Sequence, residues 1–162
     1  AEHLLAVRPS GIAALKQGGT VACLLPATSF YLDKPFAPAR EMISSGVPVA
    51  IATDFNPGTC YTENLWLMGT IASCSMHMDI TEVVRAMTCE AAASLGLSGR
   101  VGTLEVGARA DLLILTTDDH MDIPYHFGIN PVRQVMKDGV VVVDRRKRDG
   151  YPVAPGAARR WA

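Results

Sequence analysis

The sequence lacks the features that mark membrane-spanning, nucleic-acid-binding and repeat proteins. No stretch approaches the run of about 18 apolar residues that a transmembrane helix requires. The 15 Lys and Arg residues nearly balance the 16 Asp and Glu residues, which gives a net charge of −1. This balance offers no electrostatic reason to expect nucleic acid or a membrane surface as a partner. The chain also contains no internal repeat.

Close pairs of metal-binding residues are missing too. The spacings CxxC, HxH and HExxH do not occur, and Cys23, Cys60, Cys74 and Cys89 are widely separated. Cysteines of a disulfide framework or of a thiolate zinc site normally lie closer together. We therefore expect four free thiols in a reducing cytoplasm, and the sequence holds no complete metal site.

The composition predicts a folded chain with a substantial core, because 49% of the residues are hydrophobic and only 19% are charged. Its length of 162 residues suits one domain. The first residues, AEHLL, resemble neither a signal peptide nor an initiation site. They predict an interior stretch of a longer protein.

Helix and strand patterns alternate in the first third of the chain. Residues 10–17 predict a helix with Ser10 as its N-cap, and residues 38–43 predict a second helix. The apolar runs 20–25 and 47–52 are typical of strands covered on both faces. The interval between these strands suits a parallel βαβ unit, and residues 3–5 fit the end of an earlier strand. Two or three parallel strands cannot close a barrel, and we therefore expect this part of the chain to be a piece of a larger structure.

Two further helices and a small β part follow. Residues 63–76 predict one helix, and a capping box of Asp79 and Glu82 begins another, which continues to Gly96. The glycine-punctuated stretch 99–107 predicts short strands and turns. A strand at 110–115 and a hairpin at 132–143 follow, with Asp-Gly in the turn. We thus predict an α/β part over residues 1–95, a small β part over 96–143 and a basic tail over 144–162.

One polar loop follows a predicted buried strand at its carboxyl end, where active sites form in parallel sheets and (β/α)8 barrels. This loop, TDFNPGT at residues 53–59, contains the carboxylate of Asp54. A carboxylate there can bind a metal or accept a proton from the water that a metal binds. Alternatively, Asp54 and Asn56 only form Asx turns and cap the next helix. His3 lies at another predicted strand end, although a lone histidine is more often structural than catalytic.

Four segments resemble a known family. The segment GTLEVGARADL at residues 102–112 is similar to the segment that leads amidohydrolases from their barrel into a small β-sandwich. The segments LLPATSFYL (24–32), ATDFNPGT (52–59) and YHFGIN (125–130) resemble the imidazolonepropionase family within that superfamily. The resemblance covers about residues 1–143. Glu90 and Ala27 depart from it, since the family usually has Asn and Gly at these positions.

The resemblance implies a metal-dependent (β/α)8 barrel of which this chain is the C-terminal part, followed by a β-sandwich subdomain. It implies one zinc or iron ion, with Asp54 as the metal ligand and Asp54 and His3 as catalytic residues. It implies contacts of Asn56, Gly58 and Thr59 with the small-molecule substrate. The other metal ligands would lie upstream.

The implied reaction is hydrolysis of the cyclic amide C–N bond of 4-imidazolone-5-propanoate to N-formimidoyl-L-glutamate, in histidine degradation in the cytoplasm. A homodimer is compatible with the sequence. Two alternatives stay open: another amidohydrolase, such as a deaminase or a hydantoinase-like ring opener, or a non-catalytic half-barrel module. The FNPG run at residues 55–58 argues against a deaminase.

Overall fold

Two short parallel strands with helices around them form the first part of the chain in the computed structural model, which describes residues 1–145. In chain order this part consists of α1 (Pro9–Gln17), β1 (Ala22–Leu24), α2 (Pro26–Tyr31), α3 (Ala39–Ser44), β2 (Val49–Ile51), α4 (Leu65–Met76), α5 (Ile80–Met87) and α6 (Cys89–Ser94). Strands β1 and β2 pair in parallel with Cys23 opposite Ala50, which confirms the predicted βαβ unit.

The first residues extend this sheet on the other side of β1. Glu2 forms an isolated parallel bridge with Cys23, and the His3 amide donates to the Cys23 carbonyl oxygen over 3.1 Å. A segment before β1 therefore runs parallel to it, but it pairs through Glu2, and residues 3–5 do not form the predicted strand end, because His3 and Leu4 have φ angles of 63° and 60°. Three neighbouring segments thus run in the same direction, and their carboxyl ends meet at one edge of the sheet.

The sheet and its helices share one hydrophobic core. The large side chains of Leu24, Met42, Met68 and Val83 are fully buried in it. Burying a side chain of this size contributes about 1.5–3 kcal/mol. The core therefore fixes β1 and β2 against α3, α4 and α5, and with them the loops that leave the two strands.

Prolines determine two helix starts that differ from the prediction. Helix α1 begins at Pro9 rather than after Ser10, and Arg8 at its N-cap makes no side-chain cap bond. Helix α2, which we did not predict, begins at Pro26. Proline suits the first helical position because its φ angle is already close to helical and its missing N–H leaves no donor unpaired. No helix among residues 1–145 has the length and apolar character needed to cross a bilayer.

The predicted capping box at the start of α5 is present. The Asp79 carboxylate accepts from the Glu82 amide over 2.8 Å, and the Glu82 carboxylate accepts from the Asp79 amide over 2.9 Å. Arg40 of α3 donates to both Glu82 carboxylate oxygens over 2.7 Å. The hydrogen bond from Arg40 and that from the Asp79 amide lower the pKa of Glu82. One carboxylate therefore caps α5 and ties it to α3.

The helix predicted to continue from residue 79 to Gly96 is interrupted at Thr88, which separates α5 from α6 with φ −126° and ψ −94°. Gly102 packs against this junction so closely that a Cβ atom there would lie 2.7 Å from the Thr88 carbonyl oxygen. Glu90 lies just after the break and accepts from Arg85 over 2.5 Å. A tertiary contact and an ion pair thus stabilise the bend between α5 and α6, which the local sequence does not predict.

The short strands predicted within residues 99–107 are not formed, and this part of the prediction was wrong. The segment consists of turns, with Gly99, Gly102 and Gly107 at positive φ angles of 71°, 80° and 93°. Such angles repeatedly reverse the backbone direction, which prevents an extended strand. The glycines therefore produce the predicted turns alone.

A small antiparallel sheet follows, with β3 (Leu112–Leu115), β4 (Val132–Lys137) and β5 (Val140–Asp144) in the order β3-β4-β5. Asp138 and Gly139 have φ angles of 50° and 79°, as the predicted type I′ hairpin turn requires. The short helix α7 (Asp122–Tyr125) lies in the connection between β3 and β4. Strand β5 includes Asp144, the first residue of the predicted tail, and residues 146–162 of that tail lie outside the described residues.

Candidate active site

The loop after β2 places Asp54 in an unusual backbone conformation, with a φ angle of 54°. Positive φ angles are uncommon for residues other than glycine and need support from their surroundings. Asn56 supplies this support, because its Nδ2 atom donates to the Asp54 carbonyl oxygen over 2.6 Å. The loop therefore holds Asp54 in a conformation that the isolated backbone disfavours.

The amide group of Asn56 is fully engaged within the loop. Its Oδ1 atom accepts from the Gly58 and Thr59 amides, each over 2.8 Å. Its Nδ2 atom also donates to Thr59 Oγ1 over 2.8 Å. An Asx turn, one of the two alternatives from the sequence, is thus formed by Asn56. Gly58 and Thr59 lie in the same turn, next to Asp54.

The Asp54 carboxylate takes no part in that turn or in the cap of the next helix. Helix α4 is capped by Asn64 instead, whose Oδ1 atom accepts from the Trp66 and Leu67 amides over 3.1 and 3.3 Å. The carboxylate of Asp54 is therefore not consumed by local backbone structure.

That carboxylate meets two side chains from neighbouring segments. Thr28 Oγ1 donates to Asp54 Oδ2 over 2.6 Å. His3 Nε2 lies 4.0 Å from the same oxygen. The side chains of His3 and Asp54 are 46% and 25% exposed, whereas Thr28 is buried. The structure thus brings the two predicted catalytic residues together, each after the carboxyl end of a parallel segment.

Thr28 is the member of this cluster that the sequence did not reveal. It lies in the first turn of α2, shortly after β1 ends, so it occupies the same edge of the sheet as Asp54. A hydroxyl soon after a buried strand was the available signal. Because helix α2 was not predicted, nothing indicated that Thr28 turns towards the loop after β2.

The donor atoms of the cluster suit zinc or iron as part of a larger ligand set. Carboxylate oxygen and imidazole nitrogen are both common ligands of these metals. Among residues 1–145, no other hydrogen bond reaches the Asp54 carboxylate besides that from Thr28, so Oδ1 is available. The same residues contain no group of three or more His, Cys, Asp or Glu side chains that could hold a metal ion. They fit one side of a metal site.

The remaining histidines interact elsewhere, and Cys60 Sγ donates to the Thr53 carbonyl oxygen over 3.0 Å, in the same loop as Asp54. His77 ends α4 in the left-handed conformation, His120 lies 3.8 Å from the Asp119 carboxylate, and the ring of His126 contacts Tyr125 edge-on. All four cysteines are free thiols, as predicted. None of these groups adds a ligand to the Asp54 cluster.

Sequence comparison finds relatives among the imidazolonepropionases. The chain is 46% identical over 146 residues to an imidazolonepropionase of Bacillus velezensis, an alignment of 90% of this chain and 35% of the relative. It is 43% identical over 139 residues to that of Parabacteroides distasonis, covering 86% and 33%. The chain therefore spans about a third of the length of the curated relatives that it matches.

Structural comparison finds the same arrangement of helices and strands in solved proteins. An adenosine deaminase from Xanthomonas campestris with bound zinc superposes with a TM-score of 0.82 at 23% identity, covering 90% of this chain and 37% of that one. A variant of an atrazine chlorohydrolase from Arthrobacter aurescens, complexed with zinc and atraton, gives 0.79 at 21% identity, covering 88% and 35%. At these identities the likeness establishes the α/β fold alone. The pattern of the amidohydrolase family matches residues 1–142, and this chain belongs to the amidohydrolase family.

Proposed function

We propose that this chain is the C-terminal part of an imidazolonepropionase, which hydrolyses the ring C–N bond of 4-imidazolone-5-propanoate to give N-formimidoyl-L-glutamate. The observation that carries the proposal is the Asp54 carboxylate. It lies beyond the end of β2, is free of the loop's own hydrogen bonds and is close to His3. The identity of 41–46% to eight imidazolonepropionases supports the choice of substrate.

The proposal includes the larger architecture. The parallel order of residues 1–3, β1 and β2 is what consecutive strands of a (β/α)8 barrel present, and the antiparallel sheet β3-β4-β5 would belong to a β-sandwich subdomain. The remaining strands and metal ligands would come from the other two thirds of the full-length protein. By full-length protein we mean the product of the complete reading frame that contains this chain.

In the proposed metal site, Asp54 would hold one zinc or iron ion through Oδ1, the oxygen that accepts no hydrogen bond among residues 1–145. When bound, such an ion supplies Lewis acidity, which polarises a carbonyl oxygen and lowers the pKa of water. The described residues supply one side of this site, and the other ligands are expected from the rest of the full-length protein.

Asp54 accepts a proton from the attacking water as the water oxygen bonds to the ring carbonyl carbon. The protonated Asp54 then donates that proton to the ring nitrogen as the C–N bond breaks, so the carboxylate is restored. His3, 4.0 Å from Asp54 Oδ2, lies where its imidazole can hydrogen-bond to the oxygen that carries the developing negative charge.

The turn formed by Asn56, Gly58 and Thr59 is the proposed substrate-binding surface. It lies directly after Asp54 in the chain, and its internal hydrogen bonds give it one defined shape. A substrate held on a rigid surface beside the proton acceptor needs little further ordering to react. These residues would therefore orient the ring carbonyl towards Asp54.

The test is to purify the full-length protein, measure its zinc and iron content, and assay it with several ring substrates. We expect hydrolysis of 4-imidazolone-5-propanoate with N-formimidoyl-L-glutamate as the product by mass spectrometry. Hydrolysis of adenosine, guanine or a hydantoin in its place would overturn the proposed substrate. An HxH pair encoded upstream of this chain would support the metal site independently of any assay.

A further inference from the structure

A single buried hydroxyl contacts the proposed proton acceptor. Thr28 is 7% exposed, and its Oγ1 atom donates to Asp54 Oδ2 over 2.6 Å. Among residues 1–145 this is the only hydrogen bond of the Thr28 side chain. An ionised carboxylate can only accept, so the hydroxyl proton must point at Asp54. The contact joins the start of α2 to the loop after β2, two segments that the chain separates by 26 positions.

We propose that Thr28 is a positioning residue that determines which carboxylate oxygen of Asp54 is turned towards the metal site. The inference rests on the proposed function. Thr28 and His3 both face Oδ2, so Oδ1 is the oxygen that would hold the metal, and the second lone pair of Oδ2 is left for proton transfer. Without the hydroxyl, the Asp54 side chain would be free to rotate and exchange its two oxygens.

Thr28 suits this role because its own position is fixed. It lies between Ala27 and Ser29, which are also buried, in the first turn of α2. Its branched side chain has few accessible rotamers. The opposite partner, Asp54, has a strained backbone held by Asn56. The carboxylate is therefore held from two sides, through its backbone by Asn56 and through its side chain by Thr28.

The experiment compares Thr28→Val, Thr28→Ser and Thr70→Val in the full-length protein. Valine keeps the shape of threonine and removes the hydroxyl, whereas serine keeps the hydroxyl. Thr70 is a matched control, since it is 8% exposed and, within the described part of the chain, its hydroxyl donates only to the carbonyl oxygens of Trp66 and Ile123. Three quantities are measured for each variant: the rate of zinc release to a chelator, the thermal midpoint, and kcat and KM separately.

For Thr28→Val we expect zinc release to accelerate and kcat to fall, each by about tenfold, because a hydrogen bond to a charged group corresponds to a factor of about 10–100 in an equilibrium constant. KM should change little, since Thr28 does not lie in the substrate-binding turn. Thr28→Ser should leave the rate of zinc release and kcat close to those of the unsubstituted protein. Thr70→Val should lower only the thermal midpoint.

Equal zinc release and equal kcat in Thr28→Val and Thr70→Val would overturn the inference. A protein that releases zinc in the expected order of variants but does not hydrolyse 4-imidazolone-5-propanoate would refute the proposed substrate and leave Thr28 as the positioning residue. The failure of the inference and the failure of the proposed function are thus separated.

Discussion

At the scale of single residues, Asp54 differs from the carboxylates that form ion pairs with an arginine or a lysine. Glu82, Glu90, Asp111 and Asp138 each lie against an arginine or a lysine. Asp54 meets a threonine hydroxyl and a histidine, and no Lys or Arg among residues 1–145 lies within ion-pair distance of it. A hydroxyl can orient a carboxylate but cannot neutralise it. Its negative charge is therefore available to a cation.

This difference predicts the behaviour of Asp54→Asn in the full-length protein. Asparagine can still accept from Thr28, but it carries no charge and cannot take a proton. We expect metal content to fall and kcat to drop by about 10²–10⁴-fold, the usual range for a general acid–base group. Metal analysis with steady-state kinetics measures both. Asp33→Asn is the control, because Asp33 is an exposed aspartate that also has a positive φ angle, 49°.

His3→Ala distinguishes the role of His3 from that of Asp54. We place His3 beside the reacting oxygen rather than on the metal, so the variant should keep its metal while kcat falls. The same metal and kinetic measurements apply. Loss of metal in His3→Ala would make His3 a ligand, and near-normal turnover with full metal would show that His3 has a structural role only.

Asn56→Ala distinguishes a loop-organising residue from a direct substrate contact. The change removes the bond to the Asp54 carbonyl oxygen and the bonds that form the turn. We therefore expect kcat and metal content to fall together with a rise in KM. A rise in KM alone, with metal content and kcat unchanged, would show that Asn56 acts on the substrate and not on Asp54.

At the scale of elements, the capping box at Asp79 and the turn at Asp138 formed as predicted, whereas the uninterrupted helix from residue 79 to Gly96 did not. The capping box and the turn lie within three or four residues, so the local sequence contains all their partners. The break at Thr88 depends on tertiary packing. The sequence cannot show that Gly102 approaches Thr88, because the two residues are brought together only by the fold.

Gly102→Ala tests that tertiary contact. A Cβ atom would lie 2.7 Å from the Thr88 carbonyl oxygen, at a φ angle of 80°. The expected loss of unfolding free energy is about 3 kcal/mol, the sum of a left-handed conformation and a clash with backbone. Gly99→Ala is matched, since its φ angle is 71° and a Cβ atom there meets nothing within 4 Å. It should cost only about 1 kcal/mol, and equal losses in denaturant melts would disprove the contact.

The capping box of α5 predicts a pH dependence of stability. The Arg40 hydrogen bond lowers the pKa of Glu82 in the folded state. The contribution of the Arg40–Glu82 pair to the free energy of unfolding is therefore complete above the pKa of Glu82 in the unfolded chain, about 4.3. It is lost as the pH falls through the lower pKa of Glu82 in the folded state. Glu82→Gln should be less stable than the parent by up to about 1 kcal/mol at pH 7, since the pair is partly exposed. The difference should vanish in melts at acidic pH.

Glu105→Gln is the control for this measurement. Glu105 is exposed and has no ion pair among the described residues. Its substitution should leave stability unchanged at both pH values. A pH-independent difference between Glu82→Gln and the parent would mean that the cap acts through packing rather than through the charge of Glu82.

At the scale of the whole molecule, the sequence located the candidate site because parallel strands share a direction. Residues after the carboxyl ends of adjacent parallel strands meet at one edge, which explains why His3 and Asp54, paired in the sequence analysis only through the family resemblance, lie together. The orientation of the Asp54 carboxylate could not be predicted from the sequence. Which oxygen of Asp54 is bonded, and by which hydroxyl, depends on how α2 packs over the end of β1, and no local pattern encodes that packing.

Two features of the described residues determine how the 162-residue chain should behave when it is expressed alone. Within residues 1–145, β2 pairs only with β1, and the four consecutive valines of β5, Val140–Val143, are 44–63% exposed. Unpaired strand edges and exposed apolar strands promote association between chains. No group of three metal-binding side chains occurs in the same residues, so tight binding of zinc or iron is not expected. We predict self-association and low metal content, measured by light scattering and metal analysis.

Co-expression with the N-terminal two thirds of the Bacillus velezensis imidazolonepropionase should reduce association and raise metal content, because it would supply partners for the exposed strands. A monodisperse monomer that melts cooperatively and holds one metal ion per chain would contradict both predictions.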